Sequence, residues 1–366
     1  MKRRTFLGTA LAFAAGSPLS FAQPRGRWDD AAEALEKATM AKQVDAAVLH
    51  VIQKKESFTR HFGKAASGDA MFLLGSVSKP INVTALMTLF DQGKFQLNDR
   101  VKKFLPAFTG DGREAVTVRH LLTHTSGLPD QLARNNELRK QHATLADFAK
   151  EAMGTALDFA PGTKYQYSSM GILLAARIAE GISGTDILTL VDRTVFRPLG
   201  MKRSAQGLGR FKLEDVVSCQ TDGAAPESGA GDPKAKEWDW NSPYWRKLGA
   251  PWGGTHASAP DVAAFLDEFL GARGKAVKPG TAKLMVENQN PKELTPRGLG
   301  FGVGKGAGSA GCSEKTFGHT GSTGTLCWAD PASETICVVL TSLPSRAAKP
   351  HPRDIAAERV AAAAAK

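Results

Sequence analysis

Segments with a strand-like pattern occur only near the two ends of this chain, which restricts the folds it can adopt. Residues 46–52 form an apolar run typical of a strand and follow a helical pattern over 29–43. Apolar runs rich in β-branched residues return only around 318–326 and in 335–341, before a last helical pattern over 353–365. A sheet in this protein must therefore combine strands from both chain ends.

The middle of the chain is dominated by helical periodicity. Apolar residues recur at helical spacing in the segments 81–92, 118–122, 170–181, 186–195 and 259–270. We therefore predict an α/β (α+β) two-part fold, in which an antiparallel sheet is flanked by N- and C-terminal helices and a mostly helical domain is inserted. The predicted boundaries are 25–75 plus 290–366 for the sheet domain and 76–289 for the helical domain, with a cleft at their junction.

One long segment, 207–254, is too polar and too rich in Gly and Pro to be core throughout, which predicts a surface excursion. It contains four of the six tryptophans of the chain: Trp238, Trp240, Trp245 and Trp252. Two interpretations stay open. These side chains either attach the excursion to the body of the protein or form a wall of a substrate cleft.

The N-terminal segment 1–22 predicts an export signal, because it has a basic start and an apolar stretch too short to span a membrane. The pair Arg3-Arg4 followed by Phe6-Leu7 resembles a twin-arginine signal. We expect a periplasmic or secreted protein without stable membrane insertion after signal removal; an uncleaved anchor is the competing interpretation. The net charge of +11 is scattered over single Lys and Arg residues, which disfavours nucleic acid as a partner.

The four cysteines are too few for a disulfide scaffold. Cys327 and Cys337 lie at equal distances from Ala332, so a hairpin turning at Asp330-Pro331 would bring them opposite each other. Burial of the two thiols as small apolar side chains is the favoured alternative.

The first pattern with chemical meaning is Ser76-x-x-Lys79. One helical turn brings the two side chains to the same face, where the amine can accept the proton of the hydroxyl. The lysine must be neutral to act as a base, which requires desolvation or a neighbouring cation. Ser78 has no second lysine in register, so Ser76 is the better candidate nucleophile.

Two later segments accompany this pair, namely Tyr167-Ser168-Ser169 and Phe317-Gly318-His319-Thr320-Gly321-Ser322. In order and spacing, the three elements resemble the Ser-x-x-Lys, Tyr-x-Asn and Lys-Thr-Gly motifs of the penicillin-recognising serine hydrolases. The subgroup resembled contains class C β-lactamases, D-alanyl-D-alanine carboxypeptidases and related esterases. The resemblance covers nearly the whole chain after the signal and implies a β-lactamase-like fold.

The resemblance also implies roles for individual residues. Ser76 would attack an acyl carbonyl with Lys79 removing its proton, and Tyr167 would transfer a proton to the leaving group. The backbone N–H groups of Ser76 and Ser322 would form an oxyanion hole, with Ser169 and the strand residues His319, Thr320 and Gly321 facing the substrate. No cofactor is implied, and the eight histidines show no spacing typical of a metal site.

Two departures from the family motifs bear on the substrate. Ser169 replaces the usual Asn, so a side-chain amide that could bind a substrate amide is missing. His319 replaces lysine, so capture of a substrate carboxylate should be weaker or pH-dependent. We therefore expect hydrolysis of a small ester, amide or peptide by an esterase or D-amino-acid peptidase, with weak β-lactamase activity at most. The alternative is a slow-turnover penicillin-binding or cell-wall peptide-binding protein.

Overall fold

Strands from both chain ends form the main sheet of this protein. The structure, a computed structural model, describes residues 26–365, so the predicted export signal lies outside the described residues. The strands within that range are β1 (Ala46–Gln53), β2 (Glu56–Gly63), β3 (Phe72–Leu73), β4 (Ser204–Gln206), β5 (Thr255–Ala257), β6 (Gly302–Val303), β7 (Phe317–Gly321), β8 (Thr325–Asp330) and β9 (Thr335–Thr341).

Six of these strands pair in the order β2-β1-β9-β8-β7-β6, and every neighbouring pair is antiparallel. The N-terminal hairpin β1-β2 thus lies directly beside the last strand, β9. A smaller antiparallel sheet has the order β3-β5-β4. The predicted antiparallel sheet is confirmed.

Each helical segment predicted from the sequence contains a helix, and residues 26–365 hold further helices that were not predicted. The helices are α1 (Asp29–Met40), α2 (Ser78–Asp91), α3 (Val118–Leu122), α4 (Asn135–Lys140), α5 (Leu145–Gly154), α6 (Ser169–Ser183), α7 (Ile187–Val191), α8 (Pro243–Leu248), α9 (Ala259–Leu270), α10 (Pro279–Val286) and α11 (Pro352–Ala364). The helix predicted over 186–195 is divided, since α7 is followed by a π-helical turn at Asp192–Phe196. No helix in this described range is long and apolar enough to cross a membrane.

Alternation of side chains along the strands gives the main sheet two buried faces. In β9, Ile336, Val338 and Leu340 join the larger core, which also contains apolar side chains of α2, α6 and α9. Cys337 and Val339 join a smaller core that includes side chains of α1 and α11. Both faces are therefore covered by helices, in agreement with the predicted fold class.

The register of β8 and β9 determines the state of the two late cysteines. Trp328 is paired with Cys337, and Cys327 is paired with Val338, so the cysteines are not opposite each other. Cys327 belongs to the larger core and Cys337 to the smaller one, on the other face of the sheet. All four cysteines are buried free thiols, and for Cys327 and Cys337 this is what the favoured alternative predicted.

The excursion at 207–254 is attached to the helical part of the protein by Arg139 of α4. Its guanidinium donates to the Trp238 carbonyl at 2.9 Å and lies 3.8 Å from the ring of Trp245. All four tryptophans of the excursion are buried. The tryptophans therefore do attach the excursion, as the first interpretation proposed.

Candidate active site

Two glycines allow the segment that carries Ser76 to approach the end of β7. Gly75 has a φ of +55°, and a Cβ atom there would lie 3.2 Å from the backbone nitrogen of Ser322. A Cβ atom on Gly321 would lie only 2.2 Å from the Leu74 carbonyl oxygen. Larger residues would force the two segments apart. Ser76 is consequently held against the Gly321–Ser322 turn, in a short 3₁₀ turn that leads into α2.

Lys79 lies fully buried beneath Ser76 in the first turn of α2. Its Nζ is 3.0 Å from Ser76 Oγ and 3.0 Å from the backbone carbonyl oxygen of Trp252. A neutral amine that donates to this carbonyl keeps its lone pair for the Ser76 hydroxyl proton. The neighbouring Ser78 has a structural contact instead, because its Oγ accepts from the Thr255 N–H at 3.0 Å.

The surroundings of Lys79 favour the neutral amine. Burial lowers the pKa of Lys79 from its ordinary value of 10.5 to about 7, with Asp130 opposing this change and Arg297 adding to it. Near pH 7, Lys79 is therefore neutral in a large fraction of the protein molecules. The sequence analysis required a neutral lysine for Lys79 to act as a base, and this requirement is met.

Tyr167 lies at the cleft wall immediately before α6, whose N-terminus is capped by Ser168. Its ring is 4.7 Å from Lys79 Nζ, and its side chain hydrogen-bonds with that of Ser76. Desolvation raises the pKa of Tyr167, although Arg297 and the bond to Ser76 oppose the change. Tyr167 is thus a protonated phenol at neutral pH, with its ring beside the Lys79 amine.

His124 contacts both Tyr167 and the backbone of Ser168. Its Nδ1 accepts from the Ser168 N–H at 3.1 Å, and its ring centroid lies 4.5 Å from that of Tyr167. Burial lowers the pKa of His124 well below its ordinary value, with Arg297 contributing. His124 is thus a neutral, fully buried side chain that packs against Tyr167.

Ser169, which stands where the family motif has Asn, is hydrogen-bonded to Asp130. Both its backbone N–H and its hydroxyl donate to Asp130 Oδ1, at 2.9 Å and 2.6 Å. The Ser169 hydroxyl proton is therefore already donated and is not available to a substrate.

His319 is held in one neutral tautomer. Its Nε2 accepts from Arg297 Nη2 at 2.7 Å, which leaves the proton on Nδ1, where it faces the Thr320 carbonyl at 2.7 Å. Burial lowers the pKa of His319 well below its ordinary value, and the nearby charges of Arg297 and Lys79 lower it further. This arrangement disfavours the protonated His319 that pH-dependent carboxylate capture would need; the positive charge here belongs to Arg297.

A single cleft of about 390 Å³ brings these groups together. Of the predicted site residues it is lined by Ser76, Tyr167, Ser169, His319, Thr320, Gly321 and Ser322, with Lys79 beneath them. Three tryptophans of the excursion, Trp240, Trp245 and Trp252, form part of the same lining. These three side chains therefore form a wall of the cleft, as the second interpretation proposed, whereas Trp238 does not line it. Across residues 26–365, no group of His, Cys, Asp or Glu is arranged to hold a metal ion.

Comparison with known families decides the relationship that the motifs suggest. The family model described as "Beta-lactamase" matches residues 32–363 of this chain. The chain belongs to the beta-lactamase family. The match includes every element of the cleft and agrees with the resemblance to the penicillin-recognising serine hydrolases.

Relatives of this beta-lactamase-family chain carry several different activities in their names. A protein of Escherichia coli (strain K12), described as "Putative D-alanyl-D-alanine carboxypeptidase", is 24% identical over 311 residues, covering 77% of this chain and 70% of the relative. The solved structure of EstCE1, a hydrolase with promiscuous acyltransferase activity, matches with a TM-score of 0.75 and 19% identity, covering 93% of this chain and 98% of the other. D-amino acid amidase from Ochrobactrum anthropi SV3 matches with a TM-score of 0.74 and 20% identity, covering 91% and 98%. At this identity the solved structures show a shared fold.

Three groups of this beta-lactamase-family site escaped the sequence analysis: Asp130, Arg297 and the Trp252 carbonyl. Asp130 and Arg297 have no motif that distinguishes them among 36 acidic and 47 basic residues. Arg297 is separated from His319 by 22 positions, and only the pairing of β6 with β7 brings their segments together. A backbone carbonyl carries no residue-specific signal at all.

Proposed function

We propose that this protein is an exported serine hydrolase that cleaves a small ester, amide or peptide through an acyl-enzyme on Ser76. The observation that carries the proposal is the 3.0 Å contact between Ser76 Oγ and the Nζ of a buried lysine whose pKa is lowered to about 7. A serine beside an amine that is largely neutral at physiological pH is an activated nucleophile.

Acylation follows from these groups in one balanced step. Ser76 Oγ forms a bond to the substrate carbonyl carbon while its proton passes to Lys79 Nζ. The N–H groups of Ser76 and Ser322 stabilise the negative charge that develops on the carbonyl oxygen. Tyr167 donates its proton to the departing oxygen or nitrogen as the bond to the leaving group breaks, and Lys79 returns a proton to Tyr167.

Deacylation reverses the proton path with water in place of the leaving group. Tyr167 passes its hydroxyl proton to the neutral Lys79 Nζ as it takes a proton from the attacking water, whose oxygen bonds to the acyl carbon. The ester bond to Ser76 Oγ then breaks, and the proton returns to that oxygen. The enzyme is regenerated and the acid product leaves.

Esters and D-amino-acid peptides are better candidates than β-lactams as substrates. The Ser169 hydroxyl donates to Asp130, and no lysine stands at position 319, so two family contacts to a β-lactam are changed. The relatives named above are described as a D-alanyl-D-alanine carboxypeptidase, a hydrolase with promiscuous acyltransferase activity and a D-amino acid amidase, which supports the same range of substrates.

Export is part of the proposal and rests on residues 1–22, with their paired arginines and short apolar stretch. The mass of protein recovered from the periplasm of an expressing bacterium should correspond to a chain lacking this segment. Recovery of the full-length chain from the cytoplasm alone would contradict export.

The activity is tested by a substrate panel of p-nitrophenyl esters, a peptide ending in D-Ala-D-Ala and a chromogenic cephalosporin. We expect the wild type and Ser57→Ala, a control at an exposed position of β2, to turn over an ester or the peptide. Ser76→Ala should lose at least about 10³-fold in kcat at an unchanged melting temperature. Rapid turnover of the cephalosporin without ester turnover would reverse the substrate ranking. A stable penicillin adduct on Ser76 together with no turnover of any ester, peptide or cephalosporin would indicate a slow-turnover binding protein.

A further inference from the structure

Asp130 is a carboxylate of the cleft that keeps one of its oxygens free. Its side chain is half-buried and belongs to the cleft lining. Oδ1 accepts from both the backbone N–H and the hydroxyl of Ser169, at 2.9 Å and 2.6 Å. Oδ2 has no hydrogen-bond partner within residues 26–365 and is not enclosed by the protein. One oxygen is therefore fixed by α6, while the other is open to a ligand.

The cations of the cleft do not neutralise this carboxylate. Within residues 26–365 no basic side chain lies within 4.0 Å of the Asp130 carboxylate. Arg297 donates to the His319 ring, and Arg139 and Arg353 donate to backbone carbonyls. An anion in a partly desolvated cleft favours a positive partner, and here that partner must arrive from solution.

Ser169 and Asp130 together reverse the hydrogen-bonding character of the motif position. The usual Asn would present an NH2 group, which donates to a substrate. Ser169 gives its hydroxyl proton to Asp130, so the two side chains present oxygen lone pairs and a negative charge. A group bound at this place must supply the protons. A primary ammonium does so, because it has three donors and a positive charge.

Asp130 also lies close to the reacting groups. Ser169, which fixes it, follows Tyr167 by two positions at the start of α6. The Asp130 charge opposes the lowering of the Lys79 pKa and adds to the raising of the Tyr167 pKa, as expected of an anion facing the same small space. A ligand group held by Asp130 would thus be part of the molecule that is attacked by Ser76.

We propose that Asp130 is the specificity-determining residue of this cleft and selects esters or amides that carry a primary ammonium near the scissile bond. This inference rests on the proposed function and names its substrate class as compounds with an unblocked amine. Ser169 is a positioning residue that holds Oδ1, and Oδ2 receives the ammonium in a charge-assisted hydrogen bond.

The test compares substrates in which a methyl group replaces the ammonium. D-Alanine is paired with isobutyric acid, each as its methyl ester and as its p-nitroanilide, which places the ammonium on the acyl side. 3-(Aminomethyl)phenyl acetate is paired with 3-ethylphenyl acetate, which places it in the leaving group. The readout is the ratio of kcat/KM for the ammonium and neutral members of each pair at about pH 7, where these amines are largely protonated.

We expect the wild type to favour the ammonium member of at least one pair. Asp130→Asn should lower that ratio about 10- to 100-fold, the loss typical of a hydrogen bond to a charged group. The asparagine can still accept both Ser169 bonds through its own Oδ1, so the melting temperature should not change. The matched control is Glu227→Gln, because Glu227 is the other carboxylate of the lining and interacts with Arg139. This control should keep the ratio within about two-fold.

A change in the basicity of Lys79 cannot produce the same loss. Removing the Asp130 charge lowers the Lys79 pKa further, since this carboxylate opposes the shift. With a pKa of about 7, Lys79 is already neutral in about half of the molecules at pH 7, so its neutral fraction can rise at most about two-fold. A loss of ten-fold or more in the ratio therefore reports on the ammonium itself.

The outcomes separate this inference from the proposed function. An equal ratio in the wild type and Asp130→Asn, with neutral substrates still hydrolysed, would overturn the role of Asp130 alone. A wild type that hydrolyses neutral esters but favours the ammonium member of neither pair would overturn it too. Loss of the ratio in Glu227→Gln, with Asp130→Asn unchanged, would assign amine recognition to the excursion and overturn it as well. Absence of any turnover in the wild type, on these substrates and on the panel above, would contradict the proposed function itself.

Discussion

Replacing Lys79 by methionine should stabilise the folded protein at neutral pH while abolishing activity. Lys79 is fully buried, and its ordinary pKa of 10.5 falls to about 7 in the folded state. The unfolded chain keeps a solvated, protonated lysine, so folding must release that proton near neutral pH. Methionine has a similar length and no charge to desolvate, so it avoids this penalty.

The size of the effect depends on pH. Between pH 7 and 10.5 the unfolded state binds more protons than the folded state at Lys79, so wild-type stability rises with pH over this window. At 1.36 kcal/mol per pKa unit, neutralising Lys79 costs about 4 kcal/mol at pH 7 and about 1 kcal/mol at pH 9.5. The advantage of Lys79→Met over the wild type should therefore shrink by about 3 kcal/mol between these two pH values.

Urea unfolding of the wild type and Lys79→Met at about pH 7 and about pH 9.5 measures this change. The lost contacts to Ser76 Oγ and the Trp252 carbonyl alter both measurements equally, so they cancel in the difference between the two pH values. Lys55→Met, at an exposed position in the β1–β2 turn, serves as the control for removing one positive charge. A free-energy difference between wild type and Lys79→Met that is the same at both pH values would refute the claim that Lys79 is neutral in the folded protein.

Two further predictions concern the reaction. The kcat/KM for a neutral ester should rise with pH through an apparent pKa of about 7, because acylation needs the neutral form of Lys79; a profile that is flat between about pH 6 and pH 9 would exclude this base. Tyr167→Phe should lower kcat for an amide by about 10²- to 10⁴-fold, and much less for a p-nitrophenyl ester, since p-nitrophenolate leaves without a proton. Equal losses on the two substrates, measured at the same pH, would show that Tyr167 does not protonate the leaving group.

Local sequence patterns were sufficient to predict β1 and β9 and the joining of the two chain ends in one sheet, but not its edge strands β2 and β6. The β-branched runs of β1 and β9 have the length and composition of buried strands, and no similar run occurs in the middle of the chain. The short strands β3, β4 and β5 were not predicted, since two or three residues carry no recognisable period. The pairing of Cys327 with Val338 also escaped prediction, because the offset of a hairpin depends on its turn geometry.

The candidate site was likewise predicted only in part from the sequence. Ser76 and Lys79 are neighbours on one helical turn, so their contact follows from spacing alone. Arg297 is brought to His319 by strand pairing and to Tyr167 by the packing of α6, which no local pattern expresses. The sequence therefore located Ser76 and Lys79, the proposed nucleophile and base, while the charge of Arg297 beside them emerged only from the three-dimensional arrangement.

The central claim is that Ser76 carries the acyl group during turnover. The most direct measurement is intact-mass analysis, followed by peptide mapping, of the wild type and Ser76→Ala after incubation with a fluorescent penicillin. We predict a single adduct on the peptide that contains Ser76 in the wild type and none in Ser76→Ala. An adduct on another residue, or equal labelling of the two proteins, would contradict the account.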